Sequence, residues 1–101
     1  MELTLMIDGK KKTFTTGFIS AMMYRKTLVM SKKLNKNTFD ENDLDAIVDF
    51  IVELFGKQFT RDEFYHGLAA NKLEQTVMDC INGIISGGNE ALGIGDEENP
   101  N

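Results

Sequence analysis

The stretch from residue 39 to 68, FDENDLDAIVDFIVELFGKQFTRDEFYHGL, constrains the fold more than any other, because it holds two helix starts in succession and the strongest apolar stripe. Leu44, Ile47, Val48, Ile51, Leu54 and Phe55 recur at the three-four spacing of an amphipathic helix, with Asp45, Asp49 and Glu53 along the other side. Asp40 is placed to cap the first turn, and Asp43 puts a carboxylate three residues later at the positive helix end. Phe39 and Leu44 have the spacing of a hydrophobic staple. Gly56 supplies the left-handed residue that ends such a helix cheaply. The pattern then repeats: Thr60 and Glu63 form a T-x-x-E capping box, Phe59 and Phe64 its staple, and Gly67 is expected to close a helix of roughly two turns. Every other element must pack on the stripe of the longer helix.

With 101 residues the chain has material for one core and is expected to form a single domain over residues 1–86. Its longest apolar runs fall well short of a membrane span, and Met1 leads into an alternating pattern with an acid at position 2, so no signal peptide and a cytoplasmic location are expected. Cys80 is the single cysteine and His66 the single histidine. Neither a disulfide nor a zinc spacing follows, and Cys80 reads as a small buried apolar residue. The net charge of −5 argues against nucleic acid as the main partner. That charge is divided unevenly. Residues 1–33 contain seven Lys or Arg and two acids, and the remainder four and fourteen.

Residues 2–15, ELTLMIDGKKKTFT, read as a β-hairpin: Leu3, Leu5 and Ile7 alternate with polar or flexible neighbours, Asp8-Gly9 makes the two-residue turn, and Leu3 falls opposite Phe14. Lys10, Lys11 and Lys12 serve either to guard the strand edge or to bind a partner. Residues 18–34 then form a helix after a Gly17 hinge. Its core arc is expected to combine Ile19, Met23, Met30 and Leu34 with a second stripe of Ala21, Tyr24 and Leu28. Phe18, Met22 and Val29 fall opposite, between Arg25 and Lys32 on one flank and Lys26 and Lys33 on the other, which makes a candidate partner surface unless the hairpin covers it. The ladder of Asp45, Asp49 and Glu53 is either a solvated face or the acidic half of a contact between copies, met by another copy's basic third.

Asn71 and Glu74 read as a further cap and N3 pair, followed by the stripe Leu73, Val77, Cys80, Ile81 and Ile84, which weakens at Asn82-Gly83. From residue 87 the sequence GGNEALGIGDEENPN is glycine-rich and acidic, and it is expected to be a disordered tail, with Ala91, Leu92 and Ile94 as a candidate docking segment. Catalytic chemistry finds no pattern. His66 and Cys80 lie on different helices, no serine completes a triad, and phosphate loops, dinucleotide fingerprints and H-E-x-x-H are missing. The DENDLD run at 40–45 lacks the glycine and terminal glutamate of a calcium loop. No metal, cofactor or enzymatic activity is expected.

Three pieces in order, LTLMIDGKKKTF at 3–14, Tyr24-Arg25-Lys26, and LDAIVDFIVELFGKQFTRDEFYHGL at 44–68, resemble the tail assembly chaperones of long-tailed, siphovirus-type phages of Gram-positive bacteria. The resemblance spans residues 3 to about 86. It implies an α+β, mainly α protein: an N-terminal β-hairpin followed by about four helices. It also implies a helical client, the tape measure protein, kept soluble in the host cytoplasm by a chaperone absent from the mature virion. It carries no catalytic residue and no position-by-position binding motif. On the residue reading, Phe18, Met22, Arg25, Lys26 and Val29 are the candidate client contacts, and Asp45, Asp49 and Glu53 the candidate self-association face of a homo-oligomer. The alternatives are a small acidic regulatory or antitoxin-like module and a minor structural protein of the tail.

Overall fold

The computed structural model describes residues 1–87, in the order β1 (Glu2–Ile7), β2 (Lys10–Thr15), α1 (Ala21–Leu34), α2 (Glu41–Leu54), α3 (Arg61–Gly67) and α4 (Ala70–Ile85). The expectation of a disordered acidic tail, with its Ala91, Leu92 and Ile94 segment, lies outside these residues. The architecture is the expected α+β one, an N-terminal hairpin followed by four helices.

β1 and β2 pair antiparallel in the expected register, Leu3 against Phe14, around Asp8 and Gly9 at φ 54° and 77°. Such positive φ at both turn positions lets the turn follow the natural twist of the strands. Only β1 presents buried residues, Leu3 and Leu5, whereas β2 is exposed apart from the half-buried Phe14. Phe14 lies 5.0 Å, centroid to centroid, from Phe59, which links through Phe55 and Phe64 into an aromatic cluster. The hairpin therefore leans on α3 and the loop before it.

α2 is the centre. It contacts α1, α3 and α4, and it buries Ile47, Val48, Phe50, Ile51 and Leu54. Both of its ends follow from local chemistry. Asp40 accepts from the Asp43 N–H at 3.0 Å and Asp43 accepts from the Asp40 N–H at 3.2 Å, a reciprocal box that satisfies two donors of the helix start. At the other end Gly56 at φ 70° and Lys57 at φ 59° turn the chain back, so that the Lys57 N–H reaches the Val52 carbonyl and the Gly56 N–H that of Glu53, the two bonds of a Schellman ending. Thr60 and Glu63 form the second box, at 3.0 and 2.9 Å.

Two helix starts differ from expectation, and two glycines have neighbours the sequence did not indicate. α1 begins at Ala21 rather than 18, because the Ser20 hydroxyl accepts the Met23 N–H and stops the helix there, leaving Phe18 in the extended lead-in. α4 begins at Ala70 with Ala69 as its cap and no capping side chain, so Asn71 and Glu74 are not its box. Gly67 closes α3 as expected, but without a left-handed backbone; it is small because β1 passes beside it, the site of an added Cβ lying 2.7 Å from the Met6 carbonyl oxygen. α4 runs on through Asn82 and Gly83 to Ile85, and the Met1 side chain packs over Gly83.

Candidate functional site

Three helices meet along α1, but the seam that α1 buries is narrow. Met23 and Thr27 are its buried residues, with Met30 and Leu34 half-buried beyond them. Thr27 is wholly enclosed, and its hydroxyl donates to the Met23 carbonyl at 2.7 Å, so a polar side chain sits in the seam at no cost in lost hydrogen bonds. The expected second stripe is not core: Tyr24 and Leu28 are 44% and 45% exposed, and Ala21 is open as well. Residues 23, 27, 30 and 34 form the apolar seam, half-buried Lys26, Ser31 and Lys33 lie at its edges, and the opposite side of the helix faces solvent.

That outward face carries the apolar residues expected there. Phe18 is 73% exposed, Met22 54% and Val29 42%. The hairpin does not cover them, since its packing is with α3. Arg25 lies exposed among them with no ion pair among the described residues. Lys26 is placed differently. Its ammonium group reaches across to Glu53 of α2 at 2.8 Å and fastens α1 to the central helix. The structure therefore brings Met22, Arg25 and Val29 together on one helix face, sets Phe18 just before it, and pairs Lys26 with Glu53 at the surface along its edge.

The acid ladder of α2 is occupied within the chain. Asp49 takes a two-pronged contact from Arg61 at 2.7 and 2.9 Å, Asp45 accepts from the Tyr65 hydroxyl and faces Arg61 at 3.7 Å, and Glu53 holds Lys26. Hydrogen bonding from Arg61 holds the Asp49 carboxyl below the usual aspartate range. Burial, followed by the bond to Asp45, pushes the Tyr65 phenol up to about 12. Asp45 and Asp49 thus face α3 and Glu53 faces α1, while the side chains of Asp49 and Glu53 remain about half exposed. The partners responsible lie 12 to 27 positions away in sequence, beyond what helical spacing reveals.

A separate groove of about 480 Å³ opens where the C-terminal end of α1 meets α2 and α4. Phe39, Leu44, Leu73 and Met78 are among its walls, so the expected staple pair Phe39 and Leu44 is also a groove lining. Beside it Asp43 is buried, hydrogen-bonded by Lys36 at 2.9 Å, with Lys33 at 3.9 Å. The Lys36 bond, then the Asp40 N–H, hold the Asp43 carboxyl below its usual range.

Catalytic geometry is not assembled among the described residues. His66 is exposed near Asp62 and Glu63, whereas Cys80 is buried on α4, its thiol pushed up to about 11 chiefly by burial. No described group of three or more His, Cys, Asp and Glu residues could hold a metal ion, and no described helix is long and apolar enough to cross a membrane. What the surface offers is an apolar face for another macromolecule. No curated protein and no solved structure matches the chain. One family model does, over residues 1–100, and its description is phage tail chaperone protein.

Proposed function

The chain belongs to the phage tail chaperone family, and from that premise we propose that it binds the tape measure protein of a long-tailed phage and keeps that long helical chain soluble until tail tube subunits assemble around it. The observation that carries this reading is the open face of α1, where Met22 and Val29, with Phe18 before them, remain exposed on a helix already anchored through its other side. A client made of amphipathic helices needs such a face, because a helix laid against it removes apolar surface of both partners from water. On this reading the protein is a binding partner without a catalytic step, acts in the host cytoplasm and leaves before the virion is complete. Association of several copies on one client belongs to the same reading, with the partly exposed ladder of Asp45, Asp49 and Glu53 as the candidate face.

Co-expression with the tape measure protein of the same phage tests it. Soluble, co-purifying client is expected with the wild-type chain, and its loss with Met22→Asp plus Val29→Asp, at unchanged circular dichroism. A client that stays equally soluble with the double variant would remove α1 from the binding site. Finding this chain in purified virions would argue for a structural role in the tail instead.

A further inference from the structure

The cations of α1 and the loop after it fall into two groups. Lys26, Lys33 and Lys36 face acids of α2, namely Glu53 and Asp43. Arg25 and Lys32 are exposed and make no ion pair among the described residues. They are seven residues apart, so they lie on one line along the helix, about 10.5 Å from each other at 1.5 Å per residue.

That line runs down the middle of the open face. At about 100° per residue, Met22 and Val29 fall to one side of it and Leu28 and Tyr24 to the other. All four are exposed. A wholly apolar partner laid over both ridges would trap the two charged heads between them, and the desolvation of an unpaired cation opposes such a contact. A partner with carboxylates at the same spacing turns that cost into two charge-assisted hydrogen bonds.

We infer that the segment received by α1 is an amphipathic helix that carries two carboxylates one heptad apart, flanked by apolar side chains that meet Met22 and Val29 on one side and Tyr24 and Leu28 on the other. The fourteen residues of α1 are about 21 Å long, which matches roughly two heptads of such a partner. The inference rests on the client reading given above and names the class of client segment. It also sets the polarity of discrimination: helices with Lys or Arg at those central positions are rejected by like charge, while neutral ones bind through apolar contact alone.

The test uses the full chain co-expressed with the tape measure protein, comparing wild type, Arg25→Glu plus Lys32→Glu, and Arg25→Gln plus Lys32→Gln. Neither residue has a partner within the described chain to lose, so all three should give the same circular dichroism, and the reversed variant should melt only slightly lower, through the carboxylate that Lys32→Glu places in the last turn of α1. With charge reversal, co-purified client is expected to fall by at least about tenfold, the consequence of two like-charge contacts. The glutamine variant should retain intermediate binding that no longer weakens as salt is raised from 50 to 300 mM, whereas wild-type binding should weaken. Replacing the matching Glu or Asp pair of the client by Lys should restore binding to the charge-reversed chain. Wild type that holds client while the reversed variant holds as much would overturn the inference and leave the function standing. Wild type that holds no client would overturn both. Reversal that abolishes only concentration-dependent self-association would assign the face to a second copy and overturn the inference as well.

Discussion

Gly67→Ala puts a methyl group where α3 crosses β1, and its consequence follows from three distances. The added Cβ would lie 2.7 Å from the Met6 carbonyl oxygen and 3.2 Å from both the Met6 nitrogen and the Leu5 Cβ, against ordinary contact from 3.4 Å upward. The nearest atom is backbone, and Leu5 is fully buried, so neither can swing aside. Helix and strand must part instead by about 0.7 Å, and overpacking of this kind costs about 1–3 kcal/mol. Alanine is the better helix former by up to about 1 kcal/mol, less in a last turn. The net expectation is a loss of about 1–2 kcal/mol, or a fall in melting temperature of roughly 5–15 °C for a domain of this size. Thermal and urea unfolding followed by circular dichroism measure it. Two further variants identify the cause. Gly67→Asn should be at least as damaging, because it is larger, whereas a position that merely needed a left-handed helix ending would accept asparagine. Met6→Ala should not relieve the clash, since the clash is with a main-chain oxygen, so Gly67→Ala should remain destabilising in the Met6→Ala background. Unchanged or higher stability in Gly67→Ala would refute the close approach of α3 and β1.

Two other outcomes follow from titratable groups. The Asp43 carboxyl is lowered from 3.8 in the folded chain, so its contribution to stability is fully present above that value and is lost as pH falls through the lower, folded one. Acid unfolding of Asp43→Asn should therefore show a shallower dependence on pH below about 4, with the Asp49 contribution remaining; a superimposable acid limb would remove Asp43 as a source. The Cys80 thiol, buried and held protonated up to about pH 11, should resist an aromatic disulfide reagent at pH 8 and react fully once urea unfolds the chain. Rapid labelling without denaturant would show that α4 opens there.

The features legible in the sequence are those made by residues close together in the chain. Asp40 with Asp43, Thr60 with Glu63 and Asp8 with Gly9 each complete their hydrogen bonds or dihedral requirements within three positions, so spacing was enough to place them. Features set by distant elements were not. Hydropathy ranks Tyr24 and Leu28 above Thr27 as core residues, yet Thr27 is enclosed and the other two are open, because the positions of α2 and α4 decide which side of α1 is covered. Met22, Val29 and Arg25 could be assigned to an open face from periodicity, but Lys26 could not be removed from it without knowing that Glu53 lies across the helix interface. Lys32 could be placed by spacing on the flank of the strip beside Arg25, but nothing local marks it as a lysine left without an ion pair among the described residues. Gly67 was legible as a helix ending, but its close approach to β1 was not, because its neighbour across the chain, Met6, is sixty-one positions away.

The division of labour between α1 and α2 explains how a domain this small can leave so much apolar surface open. α2 is buried against three other helices and supplies five apolar core residues, so the stability of the fold is concentrated in it. α1 adds a seam two fully buried residues wide and is fastened at its edge by Lys26 to Glu53, with Lys33 and Lys36 drawn to Asp43 near its C-terminal end. Its outer residues are then under no packing constraint from within the chain, and their character can answer to a partner instead. Exposed apolar groups gain nothing in the free protein, whereas a helix laid against them gains from every apolar atom it shields. Substitutions at Met22, Arg25, Val29 and Lys32 should thus alter association at nearly constant stability, and those at Ile47 or Ile51 should reach association only by unfolding the chain.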